Sequence, residues 1–297
     1  MHKLLVICGP TATGKTQLAL TLASTFGGEL VSADSRQVYN GLDALTGKDR
    51  PTHGDERIWM YDVASLTKLF SVSLYQRLAQ KIINDIERRK KLPIVVGGTG
   101  LYIKALTHPL SQIHIPPNVM LRKKFGNAPR EVLQEELKRI DQYKWNSMNE
   151  SDKDNPRRLI RAIEITQWRS SHPIDHETIR TPGDIFQIGL IAPLPLLEDR
   201  IQKRVMTRWD DAVREVQNTK EQPIAPILGF SAIQQFLQGT ISKKDAIKTW
   251  VAEERAYAKR QMTWFKKQSG THWFDITKET YIQDVLALVD SWYTNYA

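Results

Sequence analysis

Gly9-Pro10-Thr11-Ala12-Thr13-Gly14-Lys15-Thr16 fits the pattern G-x-x-x-x-G-K-[ST], and its neighbours are those the pattern requires. Upstream, Leu4-Leu5-Val6-Ile7-Cys8 reads as a buried parallel strand; downstream, Leu18, Leu20, Leu22 and Ala23 lie in a helical stretch. In such a strand, turn and helix, Gly9 and Gly14 let backbone N–H groups converge on one cavity. The start of the helix adds its positive end, and Lys15 adds a full charge. Thr16 can offer its hydroxyl to a magnesium ion (Mg2+). The stretch predicts a site for a diphosphate or triphosphate and leaves open which molecule carries it.

Working outward, residues 1 to about 110 alternate strand-like and helical segments, as a parallel α/β sheet requires. Glu29-Leu30-Val31-Ser32-Ala33-Asp34 is a second strand ending in a polar cluster, and a short strand is expected near Ile58 to Val63. Residues 71 to 89 form an amphipathic helix with Leu74, Leu78, Ile82 and Ile86 on one face. Pro93-Ile94-Val95-Val96 is a further buried strand, and it runs into Gly97-Gly98-Thr99-Gly100. Ligands of open α/β sheets sit beyond the carboxyl ends of the strands, so these polar exits converge on the edge that carries the phosphate loop. From about 114 to 185 the texture becomes helical and charged, which indicates an insertion, with residues 172 to 184 as loop. Asn155-Pro156 marks a helix start inside it. Phe186 to Ala192 returns to the sheet, and helices follow at about 195 to 218, 243 to 268 and 279 to 293. The fold class is thus α/β, a P-loop NTPase-like parallel sheet flanked by helices (1–113 and 186–297) with a mainly helical insertion (114–185).

Composition bounds the function. The chain has 297 residues, 41% hydrophobic and 25% charged, and no apolar run near the roughly 20 residues of a membrane span. The apolar N-terminal run is strand-length and passes straight into the phosphate loop, unlike a signal peptide, so a cytoplasmic protein is expected. Cys8 is the single cysteine, which excludes an intrachain disulfide and a cysteine-rich zinc site; in the first strand it reads as a core residue. The seven histidines contain no H-E-x-x-H. A formal charge of +9 suggests a polyanionic partner. Residues 241 to 270 carry eight lysines and arginines against three acids, so the excess is concentrated near the C-terminus.

Five further groups bear on chemistry. In Ser32-Ala33-Asp34-Ser35-Arg36-Gln37-Val38-Tyr39, Asp34 can accept a proton or help hold magnesium, and Gln37 offers a donor and an acceptor for a base edge. Taken alone, Asp34 and Ser35 read better as a helix cap. Gly97-Gly98-Thr99-Gly100 lets backbone approach a ligand, or simply makes a tight turn. Arg157, Arg158 and Arg161 begin the insertion helix, where they suit nucleic-acid phosphates or form a solvated face. Trp250, Tyr257 and Trp264 recur every seven residues, more in the manner of core packing than of a stacking platform. Lys248, Arg255, Lys259 and Lys266 form a separate basic stripe, the better candidate for contact with RNA.

GPTATGKT, SADSRQVY, VVGGTGLY, DNPRRLIRAIEI and YAKRQMTWF, in this order and at these intervals, resemble the tRNA dimethylallyltransferase family over nearly the whole chain. That resemblance implies transfer of a dimethylallyl group from dimethylallyl diphosphate to N6 of the adenosine 3′-adjacent to the anticodon of tRNA, by a protein expected to be monomeric. By matching position, Gly9, Pro10, Thr11, Ala12, Thr13, Gly14, Lys15 and Thr16 would hold the diphosphate, with Thr16 also on magnesium. Asp34 would take the proton, with Lys15, Thr16 and Arg204 as the other catalytic groups. Asp34, Ser35, Arg36, Gln37, Thr99, Arg122 and the run Arg157, Arg158, Leu159, Ile160, Arg161 would face tRNA. The chain departs from the family at Ala44-Leu45-Thr46 and after Arg204. Three alternatives remain: the same chemistry on free AMP, ADP or ATP, a P-loop kinase or ATPase, and a non-catalytic RNA-binding protein regulated by nucleotide.

Overall fold

The computed structural model describes residues 3–50, 57–172 and 183–294. The chain divides into two compact units, Met1–His108 with Thr181–Ala297, and Pro109–Arg180. In chain order the elements begin with β1 (Lys3–Cys8), α1 (Lys15–Phe26), β2 (Gly28–Ser32), α2 (Asp43–Thr46), β3 (Ile58–Trp59), α3 (Val72–Arg88), β4 (Leu92–Gly97) and α4 (Gly100–Thr107). The second unit supplies α5 (Val119–Phe125), α6 (Arg130–Ile140), α7 (Gln142–Ser147), α8 (Glu150–Lys153) and α9 (Pro156–Ser171). The first unit then resumes with β5 (Asp184–Ile191), α10 (Leu194–Asn218), α11 (Phe230–Leu237), α12 (Lys243–Phe265), β6 (Thr271–Asp275) and α13 (Tyr281–Thr294).

The six strands form one sheet in the order β3-β2-β4-β1-β5-β6, every pairing parallel. β1 lies between β4 and β5, with Leu5 opposite both Ile94 and Phe186. Its apolar run is continuous because helices cover both faces. Leu4, Val6 and Cys8 join a core with Tyr75 and Ile83 of α3, Trp209 of α10, and Trp250 and Phe265 of α12. Leu5 and Ile7 point the other way and pack with Leu18 and Leu22 of α1 and Val285 and Val289 of α13. Two helices begin at serine caps, Ser71 accepting from the Leu74 N–H and Ser242 from the Asp245 N–H, both at 3.1 Å.

β6 and α11 are among the elements not expected from the sequence. β6 is short, half-exposed and carries Thr271-His272-Trp273-Phe274-Asp275, with neither alternation nor an apolar run to mark it; its register on β5 pairs Gln187 with Thr271. α11 is a short helix whose Gly229 start has a left-handed backbone and no side-chain cap.

In the second unit Leu121, Phe125, Leu133, Leu137, Leu159 and Ile163 form a core of their own. Asn155 caps α9 by accepting from the N–H groups of Arg157 (3.1 Å) and Arg158 (3.3 Å), with Pro156 in the first turn. The unit's limits fall slightly earlier than the 114–185 read from texture. Most of the loop expected at 172 to 184 lies outside the described residues.

Candidate active site

β1 delivers the chain to Gly9, whose φ of 140° and tight surroundings exclude other residues: a Cβ there would stand 2.4 Å from the Leu190 carbonyl oxygen of β5. The loop then turns through Thr13, whose hydroxyl donates to the Pro10 carbonyl at 2.9 Å, and reaches α1 at Gly14, φ 83°. Lys15 Nζ donates to the same Pro10 carbonyl at 2.7 Å. Burial, with Arg204 nearby, lowers the Lys15 pKa to about 8, although Asp34 works in the opposite sense. An ammonium held this way is short of anionic partners.

A cavity of about 330 Å³ opens over the loop. Thr11, Ala12, Gly14, Lys15 and Thr16 line it together with Asp34, Arg36, Gln37, Arg204 and Gly98, which brings most of the expected first-unit site residues to one place. Arg200, Arg204 and Arg208 also line it, at four-residue spacing along one face of α10. Arg208 pairs with Asp49 at 2.5 Å, and Arg200 donates to the Ala12 carbonyl at 3.3 Å. A larger, open hollow of about 760 Å³ lies between α2 and α10, but pairs such as Lys48–Asp43 and Arg214–Asp211 already occupy its charged walls.

The exits of β2 and β4 are tied to each other. Thr99 Oγ1 accepts from the Ser35 N–H at 2.9 Å, and the Thr99 N–H donates to the Ala33 carbonyl at 3.0 Å. Asp34 Oδ1 accepts from the Arg36 N–H at 2.9 Å, so the carboxylate does fix a local turn while it lines the cavity. The Arg36 guanidinium stacks on the Tyr257 ring at 3.9 Å. Burial opposes its charge, but Asp34, Tyr257 and Glu254 outweigh that effect and raise its pKa.

Two expected site residues are also held within the protein. Each end of the Gln37 amide makes one hydrogen bond inside the protein: Oε1 accepts from Ser32 Oγ and Nε2 donates to the Gly47 carbonyl, each at 2.8 Å. With one bond at each end, Gln37 shapes the site's wall and still lines the cavity. Leu159 is fully buried in the core of the second unit, so its side chain cannot touch a partner.

The other second-unit residues fall into two groups. Arg122 grips the buried Glu164 carboxylate through Nε (2.7 Å) and Nη2 (3.1 Å), and Arg161 reaches it at 3.0 Å. Arg161 also donates to the carbonyls of Gln112 and Ile115, both at 2.8 Å. Arg158 pairs with Asp152, Ile160 packs partly buried against the local core, and Arg157 is exposed with no ion pair among the described residues.

α12 supplies residues the sequence did not single out. Gln261 bridges the phosphate loop and the β4 exit, accepting from the Thr11 N–H and donating to the Gly98 carbonyl, both at 2.9 Å. Glu254 lies buried beside two arginines of the cavity. Tyr257 leaves the expected aromatic stripe to support Arg36, whereas Trp250 is core. The signal available was the four-residue spacing of Arg200, Arg204 and Arg208, and the polar positions Glu254 and Gln261 at seven-residue spacing.

Comparison with known proteins bears on this arrangement. The family model described as IPP transferase matches residues 37–268. A tRNA dimethylallyltransferase of Limosilactobacillus reuteri is 33% identical over 98% of this chain and 99% of its own length. One from Treponema denticola, named tRNA dimethylallyltransferase 2, is 37% identical over 90% of this chain and 92% of its own. The crystal structure of a full-length tRNA isopentenylpyrophosphate transferase from Bacillus halodurans superimposes with a TM-score of 0.71 at 30% identity, covering 98% of this chain and 96% of that one. By its sequence, its parallel sheet and the cavity over its phosphate loop, the chain belongs to the IPP transferase family, the tRNA dimethylallyltransferases.

Proposed function

We propose that the chain transfers a dimethylallyl group from dimethylallyl diphosphate to N6 of the adenosine 3′-adjacent to the anticodon of tRNA, giving N6-(dimethylallyl)adenosine. The observation that carries the reading is the content of one cavity, whose lining holds Lys15, Thr16, three α10 arginines and Asp34 together. Cations suit a diphosphate, and a carboxylate suits a proton released during attack.

In the reaction the N6 lone pair forms a bond to the allylic carbon of the donor. The bond from that carbon to the diphosphate oxygen breaks, its electron pair leaves with pyrophosphate, and Asp34 takes the N6 proton. Gly9 to Thr16 and Arg204 hold the diphosphate, where fixed N–H groups and cations meet the charge that develops on the bridging oxygen. Ser35, Arg36 and Thr99 border the acceptor side. A base must leave the anticodon stack to reach this depth. Arg122, Arg157, Arg158 and Arg161 serve the tRNA backbone, Arg122 and Arg161 in the orientation Glu164 gives them.

No three His, Cys, Asp or Glu side chains gather as a metal site among the described residues. Magnesium needs only one or two protein ligands when it brings water and phosphate oxygens, and Thr16, which lines the cavity, would offer its hydroxyl for that role. Bound there, the ion would neutralise the departing diphosphate.

The reading is tested by offering the protein labelled dimethylallyl diphosphate with unmodified tRNA or with free AMP. Label is expected in tRNA alone; labelled AMP with unlabelled tRNA would refute the acceptor.

A further inference from the structure

Arg36 lies almost midway between two carboxylates. Its Nε is 3.6 Å from Asp34 Oδ1, and its Nη1 is 3.7 Å from Glu254 Oε1. Both separations exceed a hydrogen bond, and buried Nε has no hydrogen-bond partner. The Arg36 side chain is 12% exposed and the Glu254 side chain 5%, so water does little to screen either attraction. The other Glu254 oxygen holds Arg204 Nη2 at 3.1 Å. One buried carboxylate thus stands between two cations of the cavity, and Asp34, Arg36, Glu254 and Arg204 form a continuous chain of alternating charge.

We propose that Glu254 is a positioning residue for the transfer: it draws Arg36 away from Asp34, leaving that carboxylate free to receive the N6 proton, and it restrains Arg204 at the diphosphate site. The proposal rests on Asp34 as the proton acceptor. Without the Glu254 charge, Arg36 has a single carboxylate left to face and closes on Asp34 as a full ion pair. A carboxylate that accepts a charged hydrogen bond holds a proton less well, so the transfer slows. Arg204, partly buried and released from its pair, turns to the phosphates, so pyrophosphate and the donor bind more tightly. The two effects oppose each other in a way that simple loosening of the cavity does not reproduce.

Steady-state kinetics with dimethylallyl diphosphate and an unmodified tRNA transcript test this. Glu254→Gln is expected to lower kcat about tenfold while the donor KM and the inhibition constant of inorganic pyrophosphate both fall. Glu254→Asp, which keeps the charge, is expected to recover most of the lost kcat. In an Arg36→Met background Glu254→Gln should cause no further fall in kcat, because the interaction it acts through is gone. The proposal is overturned by a parental kcat for Glu254→Gln, by the same tenfold fall in the Arg36→Met background, or by donor KM and pyrophosphate constant rising as kcat drops. Asp34→Asn separates the two levels. Parental transfer by that variant would remove the proton-acceptor reading itself, whereas an inactive Asp34→Asn beside a parental Glu254→Gln removes the positioning role alone.

Discussion

The backbone N–H of Thr11 donates to Gln261 Oε1 at 2.9 Å, so a helix 250 residues further along the chain anchors the phosphate loop. The same amide donates to the Gly98 carbonyl at 2.9 Å. Gln261→Leu would keep the volume and leave both buried backbone groups unpaired. With each costing about 1–3 kcal/mol, urea unfolding should show a loss of about 2–6 kcal/mol. The donor KM should rise as the loop loosens.

Lys15 gives the donor site a pH dependence. Its pKa in the folded protein is about 8, below the ordinary 10.5, because burial disfavours the charged form. Below pH 8 the ammonium is charged in both folded and unfolded chains, and the folded state bears the full burial cost. Between about 8 and 10.5 the unfolded chain binds more protons, so this group's contribution to stability rises with pH. Donor binding follows the opposite course, since the free site loses a positive charge above about pH 8. Titrations of dimethylallyl diphosphate from pH 6.5 to 9.5, points set by bracketing the Lys15 value of about 8, should show weakening affinity above it. Lys15→Met should bind weakly throughout, without that inflection.

Gly97 ends β4 against the exit of β2. An added Cβ would lie 2.3 Å from the Ala33 carbonyl oxygen, a backbone atom that cannot swing aside. Gly97→Ala is expected to cost about 2–3 kcal/mol in thermal or urea unfolding. Because Ala33 adjoins Asp34, transfer should fall further than the stability change explains at a temperature where the variant is folded.

Glu164 organises the helical unit. Burial raises its pKa, but hydrogen bonds from Arg122, Arg161 and the Asn118 N–H prevail and hold the carboxyl below its ordinary 4.5. Its folded pKa being depressed, the stabilisation is complete above about pH 4.5 and is lost as pH falls through the lower folded value. Glu164→Gln should abolish that acid-linked loss and cost about 1–2 kcal/mol at neutral pH, since Arg122 and Arg161 are partly exposed and can rehydrate. Circular dichroism during urea unfolding at pH 7 and pH 4 checks both statements.

Much of this was readable from local sequence. A strand, a glycine turn and a helix follow from residues 4 to 23, and parallel strands carry Asp34 and Thr99 to the same sheet edge, where Thr99 meets Ser35. What α12 contributes was not readable. Helical spacing shows which residues of 243 to 265 share a face, but how α12 meets the sheet depends on packing between segments far apart in sequence. Hence Trp250 and Tyr257, alike by spacing, part company: one fills the core and the other carries Arg36. Likewise the bonds that tie the Gln37 amide to Ser32 and Gly47 depend on how the folded turn brings them together. β6 lacked a pattern because a half-exposed strand at a sheet edge is not required to be apolar on both faces.

The most direct test of the account is the mass of the nucleosides recovered from unmodified tRNA after incubation with this protein, dimethylallyl diphosphate and magnesium. The account predicts that the adenosine 3′-adjacent to the anticodon gains one dimethylallyl group, with release of pyrophosphate. Unchanged adenosine at that position, while the donor is demonstrably bound, would contradict it.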